Sequence, residues 1–129
     1  MRRTLLVIVP YRGRPTQLAQ FLERVWAPLH REWPQSQLVV AEQSDDGRRF
    51  NRGLLLNCAY DLCRARHVWR VLLHDVDLVP DATVRRAYYA ARGAVVHFAH
   101  CWKARYGGSA YFGGVVGMSP RAFERCNGF

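Results

Sequence analysis

Asp75 and Asp77 stand one residue apart in His74-Asp75-Val76-Asp77, directly after a hydrophobic run from Val68 to Leu73. In an extended segment alternate side chains share a face, so both carboxylates can point one way while Val76 points back. Two carboxylates at close quarters repel, and a hard divalent cation relieves that repulsion. Oxygen ligands of this kind suit Mg²⁺ or Mn²⁺, which keep positions open for substrate phosphates. A D-x-D pattern can also merely solvate a strand end. Its place after an apolar strand and before Leu78-Val79-Pro80 favours the metal.

Arginines supply the complementary charge. Arg12 and Arg14 flank Gly13 in the loop leaving the first apolar run, and Arg52 starts the helix after the second. Guanidinium groups grip phosphate bidentately, and a helix N-terminus adds a favourable dipole for anions. Phe50, beside Arg52, either stacks on a base or packs into the core. A third cluster, Tyr111-Phe112-Gly113-Gly114, sets paired glycines inside an apolar run. That is costly unless the backbone bends there or something must approach it closely. His74 either orients a neighbouring carboxylate or makes a structural hydrogen bond.

The elements that must position these clusters alternate between strand and helix. Thr4 to Val9 is a continuous apolar run, as in a parallel strand covered on both faces. Leu18, Phe21, Leu22, Val25, Trp26 and Leu29 form the stripe of an amphipathic helix, with Pro15 in its first turn and Pro34 beyond its end. Gln37 to Glu42 reads as a second strand, and Asn51 as the cap of a helix through Leu62. Val68 to Leu73 is the third strand, and Asp81 caps a short helix through Tyr89. Val95 to Phe98 and Tyr111 to Met118 are further strands, and Ser119-Pro120 opens a last helix. The fold class is α/β, a mostly parallel open sheet. Ligands of such sheets sit at the carboxyl ends of the strands. Three polar clusters fall there: Pro10 to Arg14, Gln43 to Arg52, and His74 to Asp77.

With 129 residues, half of them hydrophobic, the chain has the size of one domain, residues 1–129. No apolar stretch approaches the roughly 20 residues that span a bilayer, and Met1 to Pro10 reads as a strand rather than a signal peptide. The net charge of +9 rests on arginine, Lys103 being the only lysine. The arginines are scattered and accompany no nucleic-acid reader motif, so no nucleic acid is expected. Cys58, Cys63, Cys101 and Cys126 lack C-x-x-C or zinc spacing, and their redox state stays open.

Read in order, the motifs resemble one family. Val9-Pro10-Tyr11-Arg12-Gly13-Arg14, Phe50-Asn51-Arg52-Gly53-Leu54-Leu55-Leu56-Asn57, His74-Asp75-Val76-Asp77-Leu78-Val79-Pro80, Tyr111-Phe112-Gly113-Gly114-Val115 and Cys126-Asn127-Gly128-Phe129 are similar to successive blocks of the β-1,4-galactosyltransferases. His74 and Cys126 lean towards the xylosylprotein galactosyltransferase branch. The resemblance implies a Rossmann-like, A-type glycosyltransferase fold, a UDP-galactose or related UDP-sugar donor, a glycan acceptor, Mn²⁺, and inversion at the anomeric carbon. Carried over by position, Pro10, Tyr11, Arg12 and Arg14 would line the uridine and diphosphate pocket. Phe50, Asn51 and Arg52 would seat the nucleotide, and Asp75, Val76 and Asp77 would meet the donor, with Asp77 as the metal's carboxylate ligand. Tyr111, Gly113 and Gly114 would border the sugar.

The family continues past N-G-F into a W-G-W-G-x-E-D-D block that carries the catalytic base, and this sequence stops at Phe129. The expectation is therefore a fold incomplete at its C-terminus, a donor-binding part without its base, and a missing segment or partner chain. The implied compartment is the Golgi lumen for an animal-type relative and the cytoplasm for a bacterial or viral one. Two other readings compete. A phosphohydrolase of the haloacid-dehalogenase type also uses D-x-D, but after its first strand rather than its third. A basic module that binds polyanions without catalysis would ignore Mn²⁺ and weaken steeply with salt.

Overall fold

The computed structural model of the chain describes residues 3–102 and 112–129. Strand β1 (Thr4–Tyr11) lies at the centre, with seven of its eight residues buried. It pairs in parallel with β2 (Ser36–Glu42) on one side and with β3 (Val68–His74) on the other. Beyond β3 come β5 (Val115–Met118) and, at the edge, β4 (Val95–His97), giving the order β2-β1-β3-β5-β4. Only β5 runs against its neighbours, so the described sheet is parallel in four of its five strands.

The alternation of β1 explains why its run is apolar throughout. Leu5, Val7, Val9 and Tyr11 face one layer, together with Phe21, Val25, Leu29 and Tyr88. Leu6 and Ile8 face the other, against Leu56, Ala59 and Tyr60 of α3 (Arg52–Cys63) and Phe123 of α5 (Pro120–Arg125). Both faces are covered, so neither can carry polar residues. A side chain slipped by one position would change layers.

Three helix starts follow the capping residues read from the sequence. Asn51 accepts from the Leu54 N–H, Asp81 from Val84 at the start of α4 (Ala82–Ala90), and Ser119 from Ala122. The first helical region differs from the expected single helix. It runs as α1 (Pro15–Phe21), a π-helical turn over Leu22–Trp26, and α2 (Ala27–Glu32). Pro28 has no N–H for the carbonyl four residues back, and its ring crowds that carbonyl; a widened turn accommodates both. Phe21, Val25 and Leu29 are then fully buried at intervals of four, whereas Leu22 is turned outward at 39% exposure.

Two strands are shorter than expected. β4 stops at His97, where a 3₁₀ turn (Phe98–Trp102) begins. β5 starts at Val115 because Gly114 takes a left-handed conformation (φ 71°), which breaks extension. Among the described residues no helix is long and apolar enough to cross a membrane.

Candidate functional site

A cleft of about 460 Å³ opens at the carboxyl ends of β1 and β3, lined by Pro10, Tyr11, Arg12, Arg14, Phe50, Arg52, Asp75, Val76 and Asp77. β1 delivers its last residues, Pro10 and Tyr11, the turn after β3 delivers Asp75 to Asp77, and α3 begins beside them with Arg52. Thus three arginines and two carboxylates face one space. The segment bearing the acidic pair is a turn rather than a continued strand. Val76 is buried in the layer with Phe21 and Tyr88, as the pull of an apolar side chain between two polar ones requires.

Asp75 Oδ1 accepts from Arg52 Nε at 2.9 Å, both side chains being about three-quarters buried. Arg52 Nη2 is buried and has no hydrogen-bond partner among the described residues. Asp77 Oδ2 meets Arg14 Nη1 at 3.6 Å, a longer contact in which Arg14 is half exposed. Burial pushes the Asp75 carboxyl above its ordinary range, the Arg52 charge opposes that shift, and the Asp77 charge adds to it. Arg12 Nη1 donates to the Arg48 carbonyl at 2.7 Å, and its guanidinium lies 5.7 Å from the Phe50 ring centroid. Phe50 is 42% exposed, so it faces the cleft instead of the core.

His74 lies beneath the acidic turn, completely buried. Its Nδ1 is 2.7 Å from the Asp75 carbonyl oxygen and its Nε2 is 3.1 Å from the Tyr88 hydroxyl. A carbonyl can only accept, so Nδ1 carries the proton and Nε2 accepts from the tyrosine. Burial lowers the imidazole to about 4, outweighing the pull of the Asp75 carbonyl and the Asp77 charge. A neutral, doubly bonded ring holds the backbone of the turn. It makes a structural hydrogen bond rather than orienting a carboxylate.

Asn51 stands outside the cleft lining, its side chain capping α3 and its N–H donated to Gln43 Oε1 at 2.7 Å. Gly114 accepts the Asp75 N–H at 2.8 Å, which ties the glycine pair to the acidic turn. Gly113 lies with its carbonyl 3.0 Å from His97 Nε2. Tyr111 lies outside the described residues. Sequence reasoning placed Gln43 in a polar cluster but missed its role: it also donates through Nε2 to the Arg49 carbonyl at 3.0 Å and so closes the loop between β2 and α3. The signal was there in its position directly after β2, but a lone glutamine in a polar loop has no distinguishing pattern.

Residues 1–91 match the N-terminal region of glycosyl transferase group 7. The chain is 34% identical to human β-1,4-galactosyltransferase 4 over 127 residues, covering 95% of this chain and 36% of that protein. It is 32% identical to a β-N-acetyl-D-glucosaminide β-1,4-N-acetylglucosaminyl-transferase of Lymnaea stagnalis, covering 95% of this chain and 25% of the relative. The chain therefore spans between a quarter and about a third of these relatives. Among solved structures, Drosophila β-1,4-galactosyltransferase 7 with manganese, UDP-Gal and xylobiose aligns with a TM-score of 0.82 at 27% identity, over 98% of this chain and 52% of that one. By sequence and by fold, the chain belongs to glycosyl transferase group 7, the β-1,4-galactosyltransferase family.

Proposed function

We propose that this cleft binds the diphosphate of a UDP-sugar together with Mn²⁺. In this reading the chain is the donor-binding part of an inverting glycosyltransferase that moves galactose or a related sugar to a carbohydrate acceptor. The observation that carries the reading is the convergence of Arg12, Arg14 and Arg52 with Asp75 and Asp77 on one cleft. The donor set suits the ion. Among the described residues no group of three or more His, Cys, Asp or Glu side chains is placed to enclose a metal. A hard ion of this kind needs only one or two protein carboxylates, the rest of its shell coming from substrate phosphates and water, so Asp77 in the cleft lining fits it.

When bound, Mn²⁺ supplies Lewis acidity that offsets the negative charge growing on the departing diphosphate. Asp77, whose contact with Arg14 is the longer one at 3.6 Å, is the residue assigned to hold the ion. Asp75, tied to Arg52, fixes that guanidinium at the cleft wall, and the buried Nη2 has a donor to give. Arg12 and Arg14 answer the anionic oxygens, while Phe50 offers its exposed face to the base. Pro10, Tyr11 and Val76 close the apolar side of the nucleotide pocket, and Tyr111, Gly113 and Gly114 border the sugar. Asn51 contributes through the cap of α3.

The cleft addresses diphosphate and cation, which UDP-sugars share. The sugar falls to Tyr111, Gly113 and Gly114 in this reading, and relatives named for galactose and for N-acetylglucosamine transfer are 34% and 32% identical to this chain. Inversion also needs a base to take the acceptor hydroxyl proton. Among the described residues the cleft lining contains no carboxylate besides the acidic pair, so donor binding is the part of the reaction assigned to these residues.

Calorimetry with UDP tests the assignment directly. Mn²⁺ should strengthen UDP binding, and Asp77→Ala should abolish the enhancement. UDP affinity indifferent to both the metal and that substitution would refute the site. A salt titration with an oligonucleotide separates the polyanion-binding alternative, which the family match leaves unsupported.

A further inference from the structure

Two of the sequence blocks meet beside Arg52, a residue of the cleft lining. Asn57, at the end of the block that begins with Phe50, uses both ends of its amide on one residue. Its Oδ1 accepts from the Phe129 N–H at 2.8 Å, and its Nδ2 donates to the Phe129 carbonyl at 3.1 Å. The bend that permits this consists of two successive left-handed residues, Asn127 (φ 59°) and Gly128 (φ 79°). A Cβ added at Gly128 would lie 2.6 Å from Asn57 Oδ1, and one at Gly53 would lie 3.3 Å from the Phe129 carbonyl oxygen. Gly128 is therefore required by the clasp, while Gly53 gives it close but adjustable room. Seated this way, the Phe129 ring has the Arg52 guanidinium carbon 4.9 Å from its centroid. Arg52 in turn holds Asp75 at 2.9 Å.

We propose that Phe129, held by the Asn57–Gly128 clasp, is a positioning residue for donor binding: its ring fixes the Arg52 guanidinium against Asp75 and so sets the cleft's geometry. The inference rests on the donor-site reading above. An arginine is long and flexible, and one ion pair leaves much of its freedom. A ring over its planar face removes the competing orientations. Phe129 is 48% exposed, so its contribution to the core is small and its effect on Arg52 can be measured apart from folding.

The test has a ligand-free arm and a ligand arm. In the first, solvent exchange of the Arg52 Nε–H, which the Asp75 pair protects, is followed by NMR in the wild-type chain and in Phe129→Leu, Phe129→Tyr and Gly128→Ala. Phe129→Leu and Gly128→Ala should accelerate exchange about fivefold, the scale of a partly exposed cation–π contact, while Phe129→Tyr stays at the wild-type rate. In the second arm, UDP with Mn²⁺ should bind the first two variants about fivefold more weakly. In an Arg52→Lys background, adding Phe129→Leu should cause no further loss of affinity, as coupled residues require. Unchanged Arg52 exchange in Phe129→Leu would overturn the proposal, and so would an equal loss of affinity in the Arg52→Lys background. Failure of the wild-type chain to bind UDP with Mn²⁺ would sink the donor-site reading instead, and the exchange arm would still decide whether Phe129 fixes Arg52.

Discussion

At the scale of single residues, the acidic turn depends on a buried imidazole that must stay neutral. His74 spends its one proton on the Asp75 carbonyl and offers its other nitrogen to Tyr88. Its folded value of about 4 lies below the ordinary 6.5. The unfolded chain therefore takes up a proton first as pH falls. The stability linked to this group is fully present above about 6.5, declines as pH falls, and is gone once the folded form also protonates near 4. One pH unit of such a gap corresponds to about 1.4 kcal/mol, so between pH 7 and pH 5 the wild-type chain should lose on the order of 2 kcal/mol through His74. Urea unfolding at the two pH values measures it. His74→Gln, which cannot titrate, should flatten that dependence; an undiminished slope in the variant would mean that other groups carry it. Nothing in the sequence separated this role from the alternative of orienting a carboxylate. The choice depends on Tyr88, 14 positions away, folding back onto the ring.

Helix starts show what local physics makes legible. A capping side chain reaches only to the third following N–H, so Asn51, Asp81 and Ser119 announce their helices without any knowledge of the fold. For Asn51 this has a functional edge, because its placement outside the cleft lining argues for a cap rather than a nucleotide contact. Asn51→Ala should cost about 1 kcal/mol of stability, and Asn51→Asp should keep both the cap and the UDP affinity. A large affinity loss in the Asp form would return Asn51 to the donor contacts. The turn around Leu22 was not legible, since the periodicity of six apolar residues assumes a regular helix and Pro28 forbids one. Helix α2 also reaches α4 through Glu32, which accepts from Arg85 Nη2 at 2.7 Å and from Nε at 3.1 Å. The Arg85 hydrogen bond holds Glu32 below the ordinary carboxylate range. That contribution is present above the unfolded value and fades as pH falls through the folded one, so Glu32→Gln should matter at pH 7 and become neutral in acid. Exposed pairs of this kind are worth well under about 1 kcal/mol, and a double-mutant cycle with Arg85→Met would measure the coupling.

Across the whole molecule, the sheet separates the site from much of what stabilises it. The parallel trio β2-β1-β3 was readable because each strand has an apolar centre and is joined to the next through a helix, and the three polar clusters at their ends followed from that. The placement of β5 between β3 and β4 was not readable, because antiparallel insertion is a long-range choice that no short pattern encodes. Its consequences centre on Arg70, which lies towards the amino end of β3 and is only 2% exposed. Arg70 Nη1 donates to the Tyr88 carbonyl at 3.2 Å, and Nη2 to those of Ala91 and Gly93 at 2.7 and 3.3 Å. The guanidinium thereby satisfies the end of α4 and the approach to β4, with Trp69 at 4.6 Å over its face. Gly117 of β5 leaves the room for it: a Cβ there would lie 3.3 Å from Arg70 Cδ and 2.7 Å from Phe98 Cε2. Replacing Arg70 with Leu strands those carbonyls in a buried setting, where a single unsatisfied polar group costs about 1–3 kcal/mol. Arg70→Leu should therefore destabilise the chain by roughly 3 kcal/mol or more in urea unfolding. Because Arg70 is absent from the cleft lining, the folded fraction should bind UDP and Mn²⁺ with wild-type affinity when measured at low temperature. Asp77→Ala should do the reverse, losing the metal effect at little cost in stability. A parallel loss of both properties in both variants would mean that the two ends of the sheet are one cooperative site, with no division between scaffold and cleft.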